Sequence, residues 1–525
     1  MTPNGYRVHS RRQQPMHSAL MLTSKRNIMK KNIFLIMSAA SIIFLFAGCQ
    51  KFLSDSPTKG TSEPIQRIDQ LVSLLDNPNF TENFRFTDLT STDNFDIPLD
   101  LYAAYPNGFA AFNGLPHYVF GIEEVANRPM DLQWNNSYGE IYKANLILEN
   151  ADKVSGDASL KEQVKSEAYF LRAYNNFMLA TYYCLPYHPD NFNEFGLPRK
   201  TSTSPEQSMV RMSLKETYDF IEGDLAEALK TAKLAPATTY RADNKATVNA
   251  LLSRLYLYKQ DWNKVIESAD QALNNKGIIS LKDYNTLAPG TPVIFSNPSD
   301  TIKYSEVWNY APPTYFNWQE SFFIRVIYKH PNLLVASQSL LNTFDRSNDL
   351  RYKWFFLNEA RSYAPNYKKE IRSYTNAFGG YFILAGLTIQ EVMLNKAEAL
   401  IRKSNPDIAG GLLLANQLRA KRMLANPQLN LTAADADDAL LKVLAERRRE
   451  FPFSLRWGDI RRFAYTSTAI DDIVVSRDFY EYVNGIAYTD KPKNYTLPLK
   501  SRRYAVPVNQ LEVNKSRGEF LQNTY

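Results

Sequence analysis

Cysteine is close to absent from this sequence: Cys49 and Cys184 are the two in 525 residues. With Cys49 modified, Cys184 has no partner, so neither a disulfide framework nor a thiolate zinc site can form. Histidine is nearly as scarce, and two of the five precede residue 49. His117, His188 and His330 stand alone, with no HExxH and no pair at helical spacing, so metalloprotease chemistry is not expected. Walker, GxGxxG and GxSxG motifs are missing as well. No catalytic residue, cofactor or metal site is expected. Net charge is the last absence. The formal charge is +7, but Arg7, Arg11, Arg12, Lys25, Arg26, Lys30 and Lys31 occur before residue 49 without any acid. From residue 49 onward 54 basic residues face 54 acidic ones. A nucleic-acid partner, which would need clustered positive charge, is not expected.

One long apolar run is present. Lys30-Lys31 followed by residues 33–47 has the form of a signal peptide and is short for a membrane span. It ends in Phe46-Ala47-Gly48-Cys49, the pattern of a bacterial lipobox, with small residues before the cysteine that would carry the lipid. An ordinary signal peptide with an accidental cysteine is the plainer alternative, but spacing, small residues and Cys49 all favour an anchor in outer-membrane lipid. Residues 1–28 add nothing that export requires, which leaves Met29 as a second candidate start. The expected division is a leader at 1–48, a Ser/Thr/Pro-rich tether at 49–64, and one domain at 65–525.

Helical periodicity dominates that domain. Stripes occur at 65–75, at 134–154 (Tyr138, Ile141, Tyr142, Asn145, Leu148), at 160–183 (Val164, Ala168, Leu171, Tyr174, Met178) and at 214–234. Residues 245–274 place Leu252, Tyr256, Trp262, Val265, Ile266, Ala269, Ala272 and Leu273 where a tetratricopeptide helix–turn–helix packs, with Trp262 filling the corner. Residues 391–402 and 408–422 form another pair. Loop insertions are expected at about 80–130, 275–335 and 345–385, and a small hairpin at 480–496. The expected fold is all-α: a tetratricopeptide-like scaffold with a loop-rich ligand-binding half and minor β hairpins.

Residues 440–463, LLKVLAERRREFPFSLRWGDIRRF, carry the densest charge. Leu440, Leu444 and Phe451 mark a buried stripe on which Arg447 also falls, and Pro452 stops the helix. A buried arginine needs a carboxylate, so a structural ion-pair network is the expected reading of Glu446, Arg447, Arg449, Glu450, Arg456, Trp457 and Asp459. Carboxylates among arginines stay ionised, which opposes proton donation.

The run Glu446-Arg447-Arg448-Arg449-Glu450-Phe451, with Arg456-Trp457, Asp459-Ile460 and Arg462, resembles the C-terminal signature of the SusD/RagB family of Bacteroidetes surface lipoproteins. Lys51-Phe52-Leu53, Ala144-Asn145, Glu167-Ala168, Leu171-Arg172-Ala173-Tyr174, Glu398-Ala399 and Ala505-Val506-Pro507 match further family segments in order. Ser454-Leu455 stands where a glycine is usual, Thr388 where an arginine is usual, and Asn509 where a second proline is usual. The resemblance implies a cell-surface nutrient-binding protein that caps a SusC-like TonB-dependent transporter, binds an oligosaccharide or peptide, and does no catalysis. A lipid-anchored glycoside hydrolase and a repeat scaffold for envelope assembly are the alternatives.

For the ligand, residues 310–318, YAPPTYFNW, offer Tyr310, Tyr315 and Trp318 on a loop stiffened by Pro312-Pro313, and Tyr102 with Tyr105 offer a lesser second patch. Rigid aromatics lose little entropy on binding a sugar ring. The alternative, that these rings anchor their own loops, weighs about equally.

Overall fold

Polar side chains set where most of the long helices begin. In the computed structural model of the protein, the described residues are 64–76, 81–82, 85–110, 114–287, 293–294, 301–302, 318–328, 334–358, 367, 369, 371–374, 382–425 and 429–525. The helices are α1 (Ile68–Asp76), α2 (Leu132–Asn150), α3 (Ala158–Tyr183), α4 (Leu214–Ala228), α5 (Lys245–Lys259), α6 (Trp262–Asn274), α7 (Ile389–Arg402), α8 (Ile408–Arg419), α9 (Ala436–Glu450) and α10 (Arg456–Phe463). Asp131, Asp157, Ser213, Asn244, Asp261, Asp407 and Asp435 each precede one of α2–α6, α8 or α9 and accept a first-turn backbone N–H. Each such cap stabilises its helix by about 1 kcal/mol. Ser213 and Glu216 complete a reciprocal capping box.

The helices pack in succession: α2 on α3, α3 on α4, α5 on α6, α6 on α7, and α7 on α8 and α9. This is the helix-pair scaffold expected from the tetratricopeptide-like spacing, within one unit spanning Ile65–Tyr525. Helix α3 runs through its centre. The sequence shows a stripe, yet from Ser166 to Tyr183 nearly every residue is buried, because α2, α4, α5 and the strand Phe195–Pro198 cover it from several sides. Two stripe positions differ from expectation. Tyr142 is 52% exposed, and Trp262 is half-buried beneath the Arg402 guanidinium rather than in the core. Ala269 and Ala272 are buried, as a close helix pair needs.

Where the expected loop at about 80–130 is described, over residues 85–110 and 114–130, it holds short helices instead: Phe86–Thr90, Leu99–Ala104, Pro106–Ala110, Leu115–Tyr118 and Ile122–Ala126. Pro98 precedes, and Pro106 and Pro116 open, three of these turns. Proline read as a breaker therefore acts as a starter here, since its fixed φ suits the first helical turn. A second apolar core, around Phe95, Tyr102, Tyr118, Trp318, Phe356, Tyr374, Phe453 and Phe479, holds this half together.

The C-terminal hairpin pairs β1 (Val475–Val483) with β2 (Ile486–Leu497) antiparallel, Val483 opposite Ile486. Its turn is Asn484-Gly485, both at positive φ (52° and 81°), the backbone of a two-residue hairpin turn whose twist suits the strands.

Candidate ligand-binding site

The residues around the charged signature converge from distant parts of the chain. Arg447 is 1% exposed. Its Nε donates to both carboxylate oxygens of Asp459 (2.8 and 3.0 Å), and its Nη1 donates to Asn395 (2.8 Å). Arg462 bridges the same Asp459 to Glu398, and Arg402 also donates to Glu398. Glu446 receives Arg351, Arg419 and Arg449 at 2.6–2.8 Å. Glu450 receives Arg351 and Arg422, and Arg422 continues to Glu320. Asp93 takes Arg456 and Arg448. Burial raises the carboxyl of Glu398, but Arg462 and Arg402 outweigh it and hold the group at about 2. Asp93 is likewise held at about 2 by Arg456 and Arg448 against its burial. Glu446 lies further below the ordinary carboxylate range, where Arg351, Arg449 and Arg419 outweigh burial. Such groups cannot donate a proton near neutral pH. Trp457, 2% exposed, packs edge-on to Tyr504. The network thus fastens α7, α9 and α10 to the loop-rich half through Asp93, Glu320 and Arg351, three partners that periodicity does not single out.

The three family departures all lie in buried surroundings. Ser454 and Leu455 are buried ahead of α10. Glu391, three residues after Thr388, pairs with buried Arg254 of α5. Asn509 caps the short helix Gln510–Lys515 and donates its side-chain N–H to the Arg128 carbonyl.

The aromatic candidates fare differently. Tyr310 and Tyr315 lie outside the described residues, as do the leader, Cys49 and the tether through residue 63. Trp318 is 6% exposed and sits with Tyr284, Phe355 and Tyr374 around a void of about 40 Å³. Tyr102 is 5% exposed, stacked on Phe109 and edge-on to Phe479 at 5.1 Å. Tyr105 is half-buried and edge-on to Phe109. The expectation that Trp318 and Tyr102 face solvent is therefore corrected: a planar ring beside so many other rings gains more from packing than from exposure.

A larger opening lies elsewhere. Residues 116–133 and the hairpin tip enclose a cavity of about 520 Å³, a volume typical of small-molecule sites. Phe120, at φ +56°, turns the chain between the two short helices that form one wall. Asp131 fixes the opposite wall. As the cap of α2 it accepts from Trp134 N, and it also accepts the Tyr183 hydroxyl (2.7 Å) and the Arg128 guanidinium. The Asn484-Gly485 turn carries Tyr482 to the rim. His117 lines the floor, its Nδ1 bonded to Thr87 Oγ1 at 2.8 Å. Burial, with Arg128 nearby, drives this imidazole well below its usual value, so it is neutral.

Of the other polar lining groups, Gln133 donates to Ser137 Oγ and the Tyr182 hydroxyl accepts from Thr87 N, but several are uncommitted. The side chains of Glu123, Glu124 and Asn127 and the Tyr482 hydroxyl make no hydrogen bond or ion pair among the described residues, while Phe86, Pro129 and Met130 supply apolar wall. Burial, followed by the Glu124 charge, raises the Tyr482 phenol, so the hydroxyl keeps its proton and can donate. Among the described residues no cluster of three or more metal-ligating side chains occurs, and no helix is long and apolar enough to cross a membrane. The Asn484-Gly485 dipeptide is the signal in the sequence that marks this rim.

The described residues thus form a stacked helix-pair scaffold bearing a cavity with uncommitted polar groups. Two family models match it: one described as starch-binding associating with outer membrane, over residues 87–257, and the SusD family, over residues 389–525. A SusD-like protein P2 from Formosa agariphila is 24% identical over 385 residues, covering 63% of this chain and 70% of that protein. A SusD superfamily protein from Bacteroides thetaiotaomicron superposes with a TM-score of 0.61 at 18% identity, over 87% of this chain and 100% of that one. A SusD-like carbohydrate binding protein from Bacteroides vulgatus gives 0.56 at 16% identity, over 86% and 97%. The chain belongs to the SusD/RagB family, whose members are outer-membrane-associated binding proteins rather than enzymes.

Proposed function

We propose that this protein captures glycan oligosaccharides at the bacterial surface and delivers them to a SusC-like TonB-dependent transporter, held to the outer membrane by lipid on Cys49. The observation that carries the binding step is the cavity of about 520 Å³ with uncommitted carboxylate, amide and phenol groups beside apolar wall. Sugars present that mixture: hydroxyls for the carboxylates and amides, and C–H faces for rings such as Tyr482 and Phe86. Sugar-binding relatives and the lipobox-like Phe46-Ala47-Gly48-Cys49 support the rest of the reading. Tyr310 and Tyr315 are proposed as a second contact on the sequence argument alone.

A glycan and peptide screen followed by calorimetric titration tests the binding step. Tyr482→Ala is expected to weaken the best glycan about tenfold or more. Full affinity in that variant, or binding of peptides alone, removes the cavity from the account. Mild-detergent purification tests the delivery step: a large outer-membrane barrel is expected to copurify, and repeated recovery of this chain alone from cells expressing both contradicts it.

A further inference from the structure

The cavity is not neutral. Three carboxylates line it, Glu123, Glu124 and Asp131, against one guanidinium, Arg128. Arg128 is spent locally, donating to Asp131 and to the Val125 carbonyl (2.7 Å). Asp131 is equally engaged through the Tyr183 hydroxyl and the Trp134 amide. That leaves Glu123 and Glu124, on successive positions of the short helix Ile122–Ala126, with no cation among the described residues. His117 is neutral and adds no compensating charge.

Resting on the reading of this cavity as a glycan site, we propose that it selects by charge: sugars bearing a free amine bind ahead of neutral ones, and acidic sugars are rejected. The reason is electrostatic and geometric. A carboxylate accepts hydrogen bonds and cannot donate them, so hydroxyl and ammonium groups satisfy Glu123 and Glu124. An ammonium adds attraction in a cleft screened less than bulk water. A uronate or sulfate would instead meet two like charges, and the one guanidinium within reach already has its partners. Like-charge juxtaposition of this kind is strongly unfavourable.

The test is ligand-observed NMR and calorimetric titration of the whole protein with the methyl glycosides of glucosamine, glucose and glucuronic acid. They share one ring and differ in charge. In mildly acidic buffer the sugar amine is protonated. The expected order is glucosamine tighter than glucose by about tenfold, with glucuronate showing no binding. The double variant Glu123→Gln/Glu124→Gln removes two exposed or half-exposed groups that hold nothing in place, so it folds and should bring the first two ligands to equal affinity. Added salt should weaken glucosamine alone. Glucuronate binding as well as glucose, or a glucosamine preference that survives in the double variant, overturns the charge inference while leaving the glycan reading intact. Binding of none of the three overturns both.

Discussion

Removing Arg447 is the sharpest test of the charge network. The side chain is 1% exposed and supplies three hydrogen bonds, two to Asp459 and one to Asn395. Breaking a buried pair by deleting one partner costs roughly 3–5 kcal/mol. Here the lower end applies, because Asp459 keeps Arg462 at 2.9 Å and is not left orphaned. Arg447→Ala should therefore lose about 3 kcal/mol. Unfolding entropy scales with length, and a unit the size of Ile65–Tyr525 should lose about 3 °C in melting temperature for that change. Arg448→Ala is the comparison. Its side chain is 14% exposed, and its partner Asp93 retains Arg456, so about 1 kcal/mol is expected. Denaturant midpoints and calorimetric melts on both variants give the ratio. Equal, small losses would refute the reasoning and show that the α9 arginines are solvated.

Three further outcomes follow from the same geometry. Glu398 and Asp93 are both held at about 2, below their usual 4.5 and 3.8. Their stabilisation is thus complete above about pH 4.5 and lost as pH falls toward 2; Glu398→Gln should flatten the acid limb of stability against pH, and an unchanged limb would contradict the pairing. Gly485 sits at φ +81°, so Gly485→Val should strain the hairpin tip by roughly 1–2 kcal/mol, displace Tyr482 and weaken glycan binding, whereas normal binding would detach the tip from the site. Cys49→Ala should move the protein from the membrane to the soluble envelope fraction; unchanged fractionation, with no lipid mass on residue 49, would remove the anchor.

The helices were legible because burial on one side writes a 3.6-residue period, and α5 with α6 shows it plainly in Leu252, Val265, Ala269 and Ala272. Arg447 was legible for a related reason, as a charge on an apolar stripe. Its network was not. Asp93 and Glu320 lie in turns and Arg351 in the short helix Leu350–Phe355, outside any helical stripe of the sequence, and only tertiary folding brings them to α9 and α10. The aromatic reading misjudged Trp318 and Tyr102, since proline-rich segments can pack rings inward as readily as present them. The cavity was least visible. It joins residues 116–133 to a turn in the last tenth of the chain, and its polar groups matter because they lack partners, a property no local pattern records.

The structure of a complex with the tightest oligosaccharide from the screen tests the central claim most directly. The account predicts a sugar ring against Tyr482, with its hydroxyl or amine groups on Glu124 and Asn127. A sugar held by Tyr310 and Tyr315, with the cavity between residues 116–133 and the hairpin tip unfilled, would contradict it.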